Sequence, residues 1–162
     1  MSLHYKIILN PDFSYSFTTD SGDTYDVYFM EYPLIDADNN RHIIYYFSFV
    51  RNGIFDSISF QKRYDPKIKA TFVEIAVRLF EKKEHACVTY DCFTEDGFAR
   101  HRSIVFKIWC KELPAHIECN HRSIVYHGIN LYSSLIVVGD NPLKKLILEA
   151  YNKNLAEIVD NS

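Results

Sequence analysis

Three residues with chemical potential stand in succession, Arg100-His101-Arg102, just after the segment Asp91-Cys92-Phe93-Thr94-Glu95-Asp96-Gly97. Guanidinium groups bind anions through forked hydrogen bonds, and an imidazole between them can carry a proton near neutral pH. The local pattern reads as a strand ending near Cys92 and a helix opening near Thr94 to Gly97. The free N–H groups and dipole at such a helix start favour an anion. On that helix Phe98, Arg102, Val105, Phe106 and Trp109 share a face, so Arg102 falls in an apolar stripe where an unpaired charge is costly. Asp91, at the end of the strand, is its expected partner. Arg100, His101, Arg102, Asp91 and Asp96 thus form a candidate anion-binding pocket. A catalytic version directs them at phosphate or a nucleotide, with Arg100 and Arg102 holding the anion and His101 as general acid or base. The structural alternative is an internal Asp91–Arg102 ion pair, with Glu95 and Asp96 complementing the helix start.

A second set of residues has metal-ligating types. His85-x-Cys87 and Cys119-x-His121 each place two soft ligands on one face of a strand,. Were those strands neighbours in register, the four would suit a tetrahedral Cys₂His₂ zinc site. The Cys-x₂₋₄-Cys spacing typical of zinc sites is missing, however, and half-buried cysteines also serve as small apolar residues. No cofactor is therefore expected. A third set, Tyr25, Tyr28, Tyr32, Tyr45 and Tyr46, offers either core packing or an exposed face that stacks on a base, a sugar or a partner protein. Few Lys or Arg interleave with it, which favours a protein partner over RNA.

The elements that must position these residues follow from the hydrophobic period. Tyr5 to Leu9 reads as a short opening strand. Phe13, Tyr15 and Phe17 then alternate with polar residues, Asp20-Ser21-Gly22-Asp23 turns the chain, and Tyr25 to Met30 returns,. Pro33 to Arg41 reads as a loop, and His42 to Val50 as a central strand with apolar residues on both faces. Asn52-Gly53 is a strong hairpin signal that predicts a returning strand over 54–60. The period then becomes helical. Asp65 suits an N-cap and Pro66 the first helical position, before a stripe of Ile68, Phe72, Ile75, Ala76, Leu79 and Phe80,. Ala86 to Cys92 is the next strand, and the helix bearing Arg102 runs to about Leu113. His116 to Tyr126 and Leu131 to Val138 are two more strands, and a last amphipathic helix begins at Asp140-Asn141-Pro142.

This order predicts a single α+β domain over residues 1–162, a largely antiparallel sheet opening with an N-terminal β-meander, and about three helices packed on one side of it. The 162 residues suffice for one full core,. The formal net charge of −3, with both signs mixed along the chain, argues against a nucleic-acid surface,. No apolar run approaches a membrane span. The N-terminus lacks the features of a signal peptide and the four cysteines lack paired spacing, so a cytoplasmic protein with reduced thiols is expected. Phosphate-loop, dinucleotide, nucleophile-elbow and His-Glu-x-x-His patterns are all absent, which leans away from an enzyme. The pentapeptide His-Arg-Ser-Ile-Val occurs at 101–105 and 121–125. Its flanks differ, one copy reads as helix and the other as strand, and no repeat architecture is implied.

Several segments together resemble an uncharacterised family of small Bacteroidetes proteins: Tyr5 to Leu9, Tyr15 to Phe29, Tyr90-Asp91 to Gly97, Ala99 to Arg102 with Phe106 and Trp109, and Asp140 to Leu143. The resemblance spans nearly the whole chain, implies a bacterial protein, and carries no assigned activity; it too draws attention to the segment from Asp91 to Arg102. The resulting expectation is a binding or interaction module. Its partner would be a protein, a second copy of the chain included, or a small anionic ligand, with neither membrane nor nucleic acid involved.

Overall fold

The computed structural model of the protein describes residues 3–52, 65–92, 97 and 99–160. They form seven strands and three helices: β1 (Ile8–Leu9), β2 (Tyr15–Thr18), β3 (Thr24–Ile35), β4 (Arg41–Asn52), α1 (Pro66–Lys82), β5 (Cys87–Cys92), α2 (Ala99–Cys110), β6 (Ile117–Tyr126), β7 (Ile129–Val138) and α3 (Lys144–Asp160). The strands make one sheet in the order β1-β2-β3-β4-β5-β7-β6. Neighbours run antiparallel except β4 and β5, which are parallel and meet only at Tyr45–Val88 and Tyr46–Thr89. A parallel pair needs a crossover, and α1 lies within it. The fold class is α+β, as the element order predicts.

Local signals account for much of this. Asp65 caps α1 by accepting the Lys67 N–H at 2.9 Å, and Pro66 opens the helix where its missing N–H costs nothing,. Asp65 also accepts the Tyr5 hydroxyl at 2.6 Å, tying the N-terminal segment to the helix start. Thr71, Phe72, Ile75, Leu79 and Phe80 are the buried residues of α1. Phe72 is the hub of the aromatic core: Phe17, Tyr25, Phe47, Phe49 and Trp109 all lie with ring centroids within 6.0 Å of it. Such pairs add roughly 0.5–1.5 kcal/mol each beyond the area they bury.

Two expectations need correction. The helices do not share one side. Leu79, Phe80, Ala99 and Phe106 pack with Val88, Tyr90 and Ile136, whereas Ile147, Ala150, Tyr151 and Leu155 pack with Cys87, Leu135 and Val137. Strand alternation puts 88 and 136 on one face and 87 and 137 on the other. Helices α1 and α2 therefore cover the first face, and α3 covers part of the second. The supposed loop from Pro33 is also partly strand, since β3 runs through Pro33 to Ile35 and the turn is confined to residues between β3 and β4. Pairing with β2 ends at Val27, so beyond it β3 has a partner only on its β4 side. A proline is tolerated where no neighbouring strand awaits its N–H. The predicted Asn52-Gly53 hairpin and the strand over 54–60 lie outside the described residues.

Candidate functional site

Face assignment decides what the chemically interesting residues can reach. On β5, Cys87, Thr89 and Asp91 point to the α3 side, and Val88, Tyr90 and Cys92 to the α1–α2 side,. Helix α2, with Arg100 and His101 exposed on its first turn and Arg102 half-buried, lies on the side away from Asp91. Arg102 acts instead on Cys92, whose thiol burial pushes up to about 11 while the guanidinium partly offsets the rise. The expected Asp91–Arg102 pair does not fit this arrangement, because one residue's shift along β5 reverses the face and puts Cys92, not Asp91, within the guanidinium's electrostatic reach. Arg100, His101 and Arg102 remain together on α2; Asp91 is not with them, and Asp96 lies outside the described residues.

Asp91 has different company. It sits opposite Ser133 of β7, which sits opposite Arg122 of β6, so the three form a row across the sheet under α3. Burial raises the Asp91 carboxyl above its ordinary range, and hydrogen bonds with Ser133 and Tyr46 only partly offset this. Ser133 Oγ accepts the Tyr151 hydroxyl from α3 at 2.7 Å. Burial lifts Tyr151 to about 12, and burial followed by the Asp91 charge pushes the Tyr46 phenol up as well. The result is a chain of hydroxyls, Tyr151–Ser133 and Tyr46, converging on one carboxyl that holds its proton more tightly than usual. At its outer edges Arg122 Nε donates to Asn152 Oδ1 at 3.1 Å, and Asn154 Nδ2 donates to the Tyr32 hydroxyl at 3.3 Å.

Beyond Tyr46 the described residues leave the same face uncovered. Tyr28 faces Ser48 and Met30 faces Tyr46 across β3 and β4, and α3 reaches this half of the sheet chiefly at Leu34 and Ile44. Met30 is 52 % exposed, Val50 50 % and Tyr32 39 %. The five tyrosines singled out above are therefore divided by the strand period. Tyr28, Tyr32 and Tyr46 line this face, while Tyr25 and Tyr45 point to the α1–α2 side, Tyr25 into the core with Phe17 and Phe72.

The metal set is dispersed as well. β7 lies between β5 and β6, so the strands bearing Cys87 and Cys119 are not neighbours. Cys87 faces α3, beside Asn141 Nδ2 at 3.7 Å. Cys119 and His121 face the α1–α2 side, where His121 Nδ1 lies 2.6 Å from Ser134 Oγ. His85 is exposed ahead of β5. Among the described residues no three His, Cys, Asp or Glu side chains gather as a metal site would require.

Residue reasoning overlooked Ser133, Tyr151 and Arg122. One signal was present: Ser133-Ser134 interrupts the apolar run of β7, and both are buried, where a hydroxyl needs a partner. His42, which has no motif company in the sequence, pairs with Asp36 at 2.8 Å.

No curated protein and no solved structure matches the chain. Asp91, Arg122, Ser133 and Tyr151 all lie in the segment from α1 to the first part of α3, whereas Tyr28, Tyr32 and Tyr46 precede it. That segment, residues 64–153, matches the family of unknown function DUF6169, and since it is more than half of the chain, the chain belongs to this family.

Proposed function

We propose that this protein is a binding module whose partner, a protein segment, lies on the open sheet face across Tyr28, Met30, Tyr32 and Val50, with Asp91 and Tyr46 at its inner margin. The observation that carries the reading is the coincidence of exposed aromatic and apolar side chains on one sheet face that the described residues leave uncovered with a carboxyl whose pKa burial raises beside it. Large side chains exposed together mark interaction surfaces. A buried acid, when protonated, adds a hydrogen-bond donor for a carbonyl or amide of the partner.

A second reading, a small anion on Arg100, His101 and Arg102, is supported by the exposure of the first two on the opening turn of α2,. Its catalytic form, with His101 as acid or base, would have to work without Asp91. Amide NMR separates the two readings. Concentration of the chain, or addition of a bound protein partner, is expected to shift residues of β3 and β4 on the open face. Titration with inorganic phosphate that shifts residues 99–103 while the sheet face stays silent would overturn the first reading in favour of the second.

A further inference from the structure

The sheet ends on β6, its outermost strand, which spans ten residues. The turn that follows fixes which way its backbone groups point. His127 (φ 48°) and Gly128 (φ 75°) both adopt positive φ and join Tyr126 to its partner Ile129, as in a two-residue type I′ hairpin. The pair flanking such a turn exchanges both backbone bonds, and hydrogen-bonded pairs then alternate along the ladder. Tyr126, Ile124, Arg122, Asn120 and Glu118 therefore bond to β7. Ile117, Cys119, His121, Ser123 and Val125 turn their N–H and C=O groups to the outer side. Two observed bonds agree with this parity. The Gly139 N–H donates to His116 O at 2.7 Å, continuing the inward series, and Arg122 Nη1 donates to the outward His121 O at 3.0 Å. Among the described residues no strand pairs with the outer row.

We infer that two copies of this chain associate by antiparallel pairing of β6 with β6 about a two-fold axis at Asn120, which sets Glu118 of each copy opposite Arg122 of the other. An unpaired edge is a template for another strand unless it is very short, carries lysine or contains proline. The opposite end of the sheet has such guards, since β1 is two residues long and the free half of β3 contains Pro33. β6 contains neither proline nor lysine. Its charges are self-complementary instead. Glu118 and Arg122 both lie on the α3 side, where Lys144 Nζ meets Glu118 at 3.2 Å and Arg122 Nε meets Asn152 at 3.1 Å.

The backbone and the charges select the same register. An axis at Asn120 places Cys119 opposite His121 of the second copy and Ile117 opposite Ser123. All four belong to the outer row, so their free backbone groups bond to one another. Glu118 and Arg122 then fall at a pair without backbone bonds, where opposed Cα atoms approach to about 4.5 Å and side chains are closest. Opposite charges directly across a ladder favour it, and like charges oppose it. Sliding by one residue faces the outer row with groups already bonded to β7. An axis at His121 sets Glu118 opposite Ile124, and one at Arg122 sets two guanidinium groups against each other. On pairing, the Cys119 N–H of the second copy takes the His121 carbonyl that Arg122 now covers, which frees the guanidinium for the incoming carboxylate. The result is one sheet continuous through both copies.

Sedimentation velocity of the full chain over a concentration series is expected to show monomer and dimer in equilibrium, with a dissociation constant on the order of 10–100 µM for so short a ladder. Glu118→Arg and Arg122→Glu should each weaken association by about tenfold or more, since like charges then face one another. The double variant should restore it. Ser123→Pro removes an outward N–H without touching the β7 ladder, and should weaken association while the melting temperature holds. A chain that stays monomeric throughout overturns the inference. So does a dimer indifferent to Ser123→Pro, or a double variant that fails to recover. Should the charge variants disturb the contacts with α3, Ser123→Pro still decides. Amide exchange separates this edge from the sheet face proposed above: protection gained with concentration at Cys119, His121 and Ser123 supports the edge, and protection gained on β3 and β4 alone overturns it in favour of the face.

Discussion

The Asp91 carboxyl has a higher pKa in the folded protein than in the unfolded chain. Burial is the main cause, and the hydroxyls of Ser133 and Tyr46 compensate incompletely. Because the folded carboxyl has the raised pKa, this group favours folding most below the ordinary carboxylate value of about 4, and disfavours it as pH rises through the raised value. Asp91→Asn should therefore be more stable than the wild type at pH 7, with the difference closing toward pH 4. Urea titrations at the two pH values measure it, and a variant less stable at neutral pH would exclude the assignment. A residue that costs stability where it stands is characteristic of a site kept for function. Asp36 shows the opposite sign. The His42 imidazole beside it, and N–H groups from Asn40 and Asp38, draw its carboxyl down to about 2. Its contribution is full above the unfolded value of about 4 and is lost as pH falls through about 2. Asp36→Ala should accordingly destabilise the protein at pH 7 and much less at pH 2, read from the same titrations.

At the scale of elements, α1 is the piece most directly written in the chain. Capping is local: Asp65 and Pro66 act within one turn, so their effect is visible without knowing what the helix packs on. Asp65→Ala removes the Lys67 cap and the Tyr5 hydroxyl's acceptor and should cost about 1 kcal/mol or slightly more by equilibrium denaturation. Phe72→Ala, at the aromatic hub, should cost about 3–5 kcal/mol in the same measurement. Pro33 illustrates the reverse. Proline reads as a breaker because a central strand needs its N–H, yet β3 has lost one neighbour by that point. That loss is a property of the sheet, not of the residues near Pro33. The two His-Arg-Ser-Ile-Val copies make the same case, one helical in α2 and one extended in β6. Their neighbours and packing decide, since propensity is a weak prior.

Among the described residues the sheet presents two differently packed faces. The α1–α2 side holds the aromatic core and the small cavity. The α3 side holds the Asp91 row and, past the reach of α3, a face of β3 and β4 that the described residues leave uncovered. Met30→Lys combined with Val50→Lys alters only exposed side chains and should change stability by less than about 0.5 kcal/mol per site. The same variant should abolish partner-dependent NMR shifts on that face; a marked fall in the melting temperature would mean that the residues serve packing instead.

Residue order alone determined the α+β class, much of the succession of strands and helices, and the start of α1, because periodicity and capping depend on neighbours within a few positions. Tertiary structure decided which of these residues meet. The insertion of β7 between β5 and β6 separated the metal-type residues, and the alternation of β5 turned Asp91 toward Ser133 and Tyr46 while Cys92 faced Arg102. Strand order and the side on which each helix docks are set by long-range packing, and a single residue's offset in a strand reverses the face a side chain sees. For that reason the sequence marks out the elements, while the partners of each side chain emerge only with the fold.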